Sequence, residues 1–223
     1  MNRIAENIRR IKDNLPPSTQ LIVVSKYRSI EEIEHCYQAG IRVMAENRVQ
    51  ALLERKESLP QDIQWHLIGH LQTNKVKYIA EFISMIHSVD SLKLLLEINR
   101  YGLQFHRKIP VLIQVHIAQE ESKFGLPPNE LQDFFKSVKS LLIENTLQGV
   151  EICGLMSMAT FTDNTEQIRS EFAEIKGIYD RIKSEFFSQS KEFKELSIGM
   201  SGDYKIAIEF GSTLVRVGTA VFE

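Results

Sequence analysis

Short apolar runs alternate along the chain with longer stretches in which apolar residues recur at three- and four-residue intervals. The runs read as strands and the stretches as amphipathic helices, because side chains repeat every second residue in one and every 3.6 in the other. Ile4, Ile8, Ile11 and Leu15 mark a leading helix that Pro16-Pro17 stops. The run Leu21-Ile22-Val23-Val24-Ser25-Lys26 follows, apolar enough to be buried on both faces as a parallel-sheet strand is. Further strands are expected at 41–45, 63–68, 82–89, 110–115, 150–155, 195–198 and 214–217. Between them helices are expected from Ser29, a capping residue, to Gly40, then to about 58, from 74 onward, over 91–101, from Pro127-Pro128 to 142, over 165–187 and over 203–210.

Eight strands, each separated by a helix, is the count that closes a (β/α)8 TIM barrel, here with an extra N-terminal helix. An open doubly wound sheet is the competing arrangement, and no G-x-G-x-x-G turn follows an early strand to support it. The 223 residues suit one domain spanning 1–223, with no linker or repeat dividing them.

A net charge of -2 gives no basic field to hold nucleic acid or an acidic membrane, which points to a small-molecule partner. No apolar stretch approaches the ~20 residues that span a bilayer. Cys36 and Cys153 lack metal-ligand spacing, and the opening Met1-Asn2-Arg3-Ile4-Ala5-Glu6 lacks a signal-peptide core. A reducing cytoplasm, buried thiols and a monomer are therefore expected.

Candidate chemistry gathers at the carboxyl ends of the strands, where barrels carry their sites. Lys26 closes the first run, and partial burial there would favour the free amine that attacks aldehydes; the alternative is a lysine that only reaches out into water. Ser197-Ile198-Gly199-Met200-Ser201-Gly202-Asp203 and Val217-Gly218-Thr219-Ala220 follow the last two strands, where barrels bind phosphate; both also suit ordinary turns. Arg216 stands between Val215 and Val217, and its permanent charge requires a ligand or a carboxylate such as Glu209. His66 and His70 lie in Trp65-His66-Leu67-Ile68-Gly69-His70-Leu71-Gln72-Thr73-Asn74-Lys75, but Gly69 denies them a common helical face, so a polar pocket rim is expected rather than a metal site. His35, His87, His106 and His116 have no partner pattern and are expected at the surface or satisfied in the core. No nucleophile elbow or P-loop is present.

An amine, a phosphate cradle and an arginine beside it suit an aldehyde that bears a phosphate, as pyridoxal 5'-phosphate does. The sequence resembles the pyridoxal phosphate homeostasis proteins (the YggS-like family) along nearly all its length. The resemblance rests on Val23-Val24-Ser25-Lys26, Glu46-Asn47-Arg48-Val49-Gln50, the 65–75 stretch, Gly154-Leu155-Met156-Ser157-Met158, the 197–203 stretch and Gly211-Ser212-Thr213-Leu214-Val215-Arg216-Val217-Gly218. It implies a barrel like the alanine racemase N-terminal domain, with Lys26 as the internal aldimine. It also implies phosphate contacts from Ser201, Gly218 and Thr219 with Met200 nearby, Arg216 facing the pyridine nitrogen, Asn47 near the ring and His66 in the pocket wall. Ala45 and Ile198 depart from the family's usual glycine and methionine, and neither is assigned to the cofactor. The implied role is binding of the cofactor and related B6 vitamers, and their passage to apo-enzymes, without turnover. Two features agree with this: Arg216 would disfavour a protonated ring nitrogen, and Glu223 follows closely on the eighth strand, leaving no second β domain to complete a racemase site. The competing expectations are a racemase-like enzyme and a lysine-imine aldolase.

Overall fold

Eight parallel strands close on themselves in chain order: β1 (Gln20–Val24), β2 (Val43–Glu46), β3 (Gln64–Leu67), β4 (Met85–Val89), β5 (Ile109–Gln114), β6 (Val150–Met156), β7 (Glu195–Ser197) and β8 (Leu214–Val217). This computed structural model describes residues 3–118 and 124–223, so Met1 and Asn2 of the opening segment lie outside it. Closure comes from β8, whose Leu214, Val215, Arg216 and Val217 stand opposite Gln20, Leu21, Ile22 and Val23 of β1. Helix α1 (Arg3–Asp13) precedes the barrel. The others, α2 (Ile30–Gln38), α3 (Val49–Ser58), α4 (Val76–Ile79), α5 (Leu92–Gln104), α6 (Leu131–Ile143), α7 (Thr165–Phe186), α8 (Tyr204–Glu209) and α9 (Thr219–Phe222), follow their strands in turn.

Strand alternation divides the core in two. Leu21, Val23, Met44, Trp65, Leu67, Val215 and Val217 pack outward against the helices, while Ile22, Val24, Val43, Ala45, Leu112 and Leu214 fill the barrel. Both faces of each strand are thereby dry, which is why the sequence shows runs rather than alternation.

The expected caps are present. Ser29 Oγ accepts from Glu32 N–H while Glu32 bonds back to Ser29 N–H, and Gly40 ends the α2 turn at a φ of +85°. Several boundaries differ from expectation. The third helix is split into a 3-10 turn, Thr73–Lys75, and the short α4. β4 starts at Met85 because Phe82 and Ile83 still donate to the Ile79 carbonyl. Pro127 and Pro128 form a turn closed by Glu130 N–H, and the helix begins only at Leu131. Helix α9 was not anticipated.

Among the described residues no helix is long and apolar enough to cross a membrane. Both cysteines are buried, and burial pushes their thiols up to about 12.

Two helical glycines separate packing from propensity. A Cβ on Gly102 in α5 would overlap the Gly149 carbonyl, whereas one on Gly177 in α7 meets nothing within 4 Å. Denaturant unfolding is expected to show Gly177→Ala more stable by about 0.5–1 kcal/mol and Gly102→Ala less stable than the parent, despite the same gain in helix propensity. Equal effects would contradict this packing.

Candidate functional site

The turn after β1 is fixed by its backbone: Ser25 N–H donates to Ala45 O and Arg28 N–H to Ser25 O, with Tyr27 at a φ of +65°. Lys26 sits in this turn and is exposed, as the second of its two expected settings has it, and not partly buried. The chain bends just beyond Val24, the last interior residue of β1, and carries Lys26 out onto the rim.

Beneath the turn lies a buried polar cluster that sequence reading did not identify. Ser25 Oγ donates to Glu46 Oε1 at 2.6 Å, Arg55 Nε lies 2.7 Å from the same oxygen, and Arg55 Nη1 donates to Arg28 O. Glu46 Oε2 has no hydrogen-bond partner among the described residues. Burial raises the Glu46 carboxyl above its ordinary range, opposed by the Ser25 bond and by the charges of Arg55 and Lys26. An acidic residue directly after the apolar 41–45 run was the available signal. Asn47, next along, is half-buried, and Gly69 packs so tightly over it that a Cβ there would overlap the Asn47 carbonyl.

The loops after β7 and β8 meet. Asp203 Oδ1 accepts from Met200 N–H, turning the first loop on itself. Ser201 Oγ then accepts from Gly218 N–H at 3.2 Å and from Ala220 N–H at 3.3 Å, which sets Ser201, Gly218 and Thr219 side by side with Met200 half-buried in the same loop. A Cβ on Gly218 would stand 3.2 Å from the Val24 carbonyl, so this junction lies against the end of β1, two residues before Lys26.

Inside the barrel, alternation turns His66, Ser197 and Arg216 inward, since their neighbours Trp65, Leu67, Leu196, Ile198, Val215 and Val217 face the helices. Arg216 is 3% exposed. Its Nη1 donates to Ser197 O at 2.7 Å and to Ser197 Oγ at 2.6 Å, and its Nη2 donates to Ser157 O at 2.9 Å. Glu209, the carboxylate named as the alternative to a ligand, is not its partner. It projects from α8 at the surface and pairs with Arg169 at 2.7 Å. Burial pushes the Arg216 guanidinium down to about 10, with the Asp203 charge opposing, so it stays charged at neutral pH.

His66 Nδ1 lies 2.9 Å from His87 Nε2, and His87 Nδ1 lies 3.1 Å from Ser197 Oγ. Desolvation pushes His66 down to about 3 and His87 well below the ordinary imidazole range, so both rings are neutral at pH 7. His87 is thus a satisfied core histidine, as one of its two expected places required. His70 stands apart, 3.1 Å from Asp90 and stacked on Phe124; His35 and His116 are half-buried and His106 is exposed, all three outside this cluster. Among the described residues no group of three side chains could hold a metal.

A sequence model of the alanine racemase N-terminal domain family matches residues 1–223. The pyridoxal phosphate homeostasis protein of Aquifex aeolicus is 36% identical over 91% of this chain and 86% of its own length, and that of Synechocystis sp. is 36% identical over 93% and 92%. The chain belongs to the pyridoxal phosphate homeostasis family. Another similar structure is PipY of Synechococcus elongatus solved with PLP bound, at a TM-score of 0.87 and 32% identity, covering 99% of this chain and all of that one. An alanine racemase from Bartonella henselae, at 21% identity and a TM-score of 0.71, shares the fold over 58% of its length.

Within this family member the Glu46–Arg55 pair is open to test. Arg55→Leu leaves Glu46 buried and is expected to cost about 3 kcal/mol at pH 8. Losing the arginine's charge raises the Glu46 carboxyl further, so the folded state holds a proton that the unfolded chain releases. The deficit should therefore be smallest below the ordinary 4.5 and grow as pH rises through the raised value. Unfolding curves at pH 4 and 8 with equal deficits would contradict this.

Proposed function

We propose that this chain is a homeostatic carrier of pyridoxal 5'-phosphate, attached reversibly to Lys26, and not a catalyst. One observation carries the reading. Arg216 is a buried cation whose recorded hydrogen bonds all go to neutral oxygens of Ser197 and Ser157, with the Asp203 carboxylate acting on it as a counter-charge, set beneath the junction of the two loops that join Ser201 to Gly218. A buried cation hydrogen-bonded to neutral oxygens favours an anionic ligand beside it. The relatives' names and the cofactor in PipY support the same ligand.

In this reading Ser201, Gly218 and Thr219 hold the phosphate with Met200 beside them, Arg216 faces the pyridine nitrogen, Asn47 lies near the ring and His66 walls the pocket. Lys26 Nζ, as the free amine, bonds to the aldehyde carbon and the carbonyl oxygen leaves as water; hydrolysis reverses the step. When bound, the cofactor supplies an electrophilic aldehyde and a ring able to accept electrons. The permanent charge of Arg216 repels a proton from the ring nitrogen and keeps that ring a poor electron sink, which supports carriage over turnover. B6 vitamers and apo-enzymes in a reducing cytoplasm are the partners this role implies, with the chain acting as a monomer.

Protein incubated with pyridoxal 5'-phosphate is expected to turn yellow, and borohydride followed by peptide mass analysis should place the reduced cofactor on Lys26. Colourless protein with Lys26 unmodified would contradict the reading and favour an aldolase; exchange of an amino acid's α-deuterium at a useful rate would favour a racemase. Lys26→Ala should fold and keep only weak binding. Arg216→Gln should shift the absorption spectrum of the bound ring, and an unchanged spectrum would contradict the placement of the guanidinium.

A further inference from the structure

Four side chains from four strands form one unbroken line through the barrel: Arg216 on β8, Ser197 on β7, His87 on β4 and His66 on β3. Ser197 and His87 are fully buried and His66 is 5% exposed. The direction of the protons along this line follows from its ends. Arg216 can only donate, so Ser197 Oγ accepts from Nη1. The serine proton then needs an acceptor, and the remaining polar atom recorded beside that oxygen is His87 Nδ1. In the opposite sense His87 Nδ1–H would donate to Ser197 Oγ, leaving a buried hydroxyl proton with nothing to bind, a loss of about 1–3 kcal/mol. His87 Nδ1 is therefore bare and its proton sits on Nε2, from which it is donated to His66 Nδ1. His66, neutral and with Nδ1 already accepting, carries its own proton on Nε2.

We propose that His87 is a positioning residue that fixes His66 as a donor, with Nε2–H turned to the ligand. Every group in the line presents its acceptor toward Arg216, so the line adds to the Asp203 charge in stabilising the buried cation. Its two ends, Arg216 and His66, are both donors. A ligand between them has to offer acceptors on both sides: an unprotonated ring nitrogen to one and a lone pair of a ring substituent to the other. This step rests on the placement of pyridoxal 5'-phosphate beside Arg216 and His66; the proton order itself does not.

The proton order is read directly from nitrogen-15 NMR of the unliganded full chain labelled in its histidines, at pH 7. The expected result is two rings that are neutral and protonated on Nε2, each with a bare Nδ1, assigned by their loss in His66 and His87 variants or by contacts in the parent protein. Either ring protonated on Nδ1, or either found as imidazolium, overturns the proposal. With cofactor added, His87→Phe should keep the borohydride adduct on Lys26 but bind about tenfold more weakly, with a shifted absorption maximum, because His66 is free to reverse. His87→Gln, whose amide supplies one acceptor and one donor, should restore most of both. A His87→Phe spectrum and affinity equal to the parent's overturn the proposal. Failure of the parent chain to form any adduct instead overturns the carrier reading and leaves the NMR result standing on its own.

Discussion

A guanidinium inside a closed barrel constrains everything around it. Arg216 cannot release its charge, and its register opposite Ile22 places it within the apolar interior lined by Val24, Ala45 and Leu214. It is accommodated by the ends of two neighbouring strands. Ser197 gives a carbonyl and a hydroxyl from β7, and Ser157 gives a carbonyl just past β6. Neutral oxygens satisfy its hydrogen bonds and the Asp203 charge acts on it, so in the proposed reading the upper end of this barrel is prepared for an anion before any ligand arrives.

Two polar networks share the task of shaping that end, one on each side of the strand wall. Inside, Arg216, Ser197, His87 and His66 tie β8, β7, β4 and β3 together across the barrel. Outside, Glu46 and Arg55 hold Ser25 and the Arg28 carbonyl, bracing the turn that presents Lys26. The lysine is therefore exposed on a rigid base, open to a ligand from the rim, while the groups that would grip that ligand from below are locked by their own hydrogen bonds. A reversible carrier benefits from both properties, since attachment needs access and retention needs preorganised donors.

Much of this was legible in the sequence because burial on both faces makes parallel strands conspicuous. β8 was placed to the residue, and the charge interrupting it marked Arg216 as unusual. Of the two partners the sequence left open for it, a ligand or a carboxylate such as Glu209, the carboxylate falls away for a physical reason: Glu209 is near in sequence, but it projects from the surface of α8, where Arg169 claims it. His87 gave no local signal, since its partners His66 and Ser197 lie 21 and 110 positions away and meet it only once the barrel closes. The Glu46 pair gave no local signal because its partner Arg55 belongs to the following helix, nine positions on, and meets it only once that helix packs against the strand. The sequence left burial and exposure of Lys26 both open because no residue preference announces the left-handed Tyr27 turn that lifts the chain out of the strand line.

The central claim is that the buried charge of Arg216 and the amine of Lys26 serve one ligand. A high-resolution crystal structure of the full chain grown with pyridoxal 5'-phosphate tests it most directly. The account predicts density continuous from Lys26 Nζ into the cofactor, the ring nitrogen against the Arg216 guanidinium and the phosphate at the Ser201–Gly218 junction. Cofactor bound elsewhere, or a ring whose nitrogen faces away from Arg216, would contradict it.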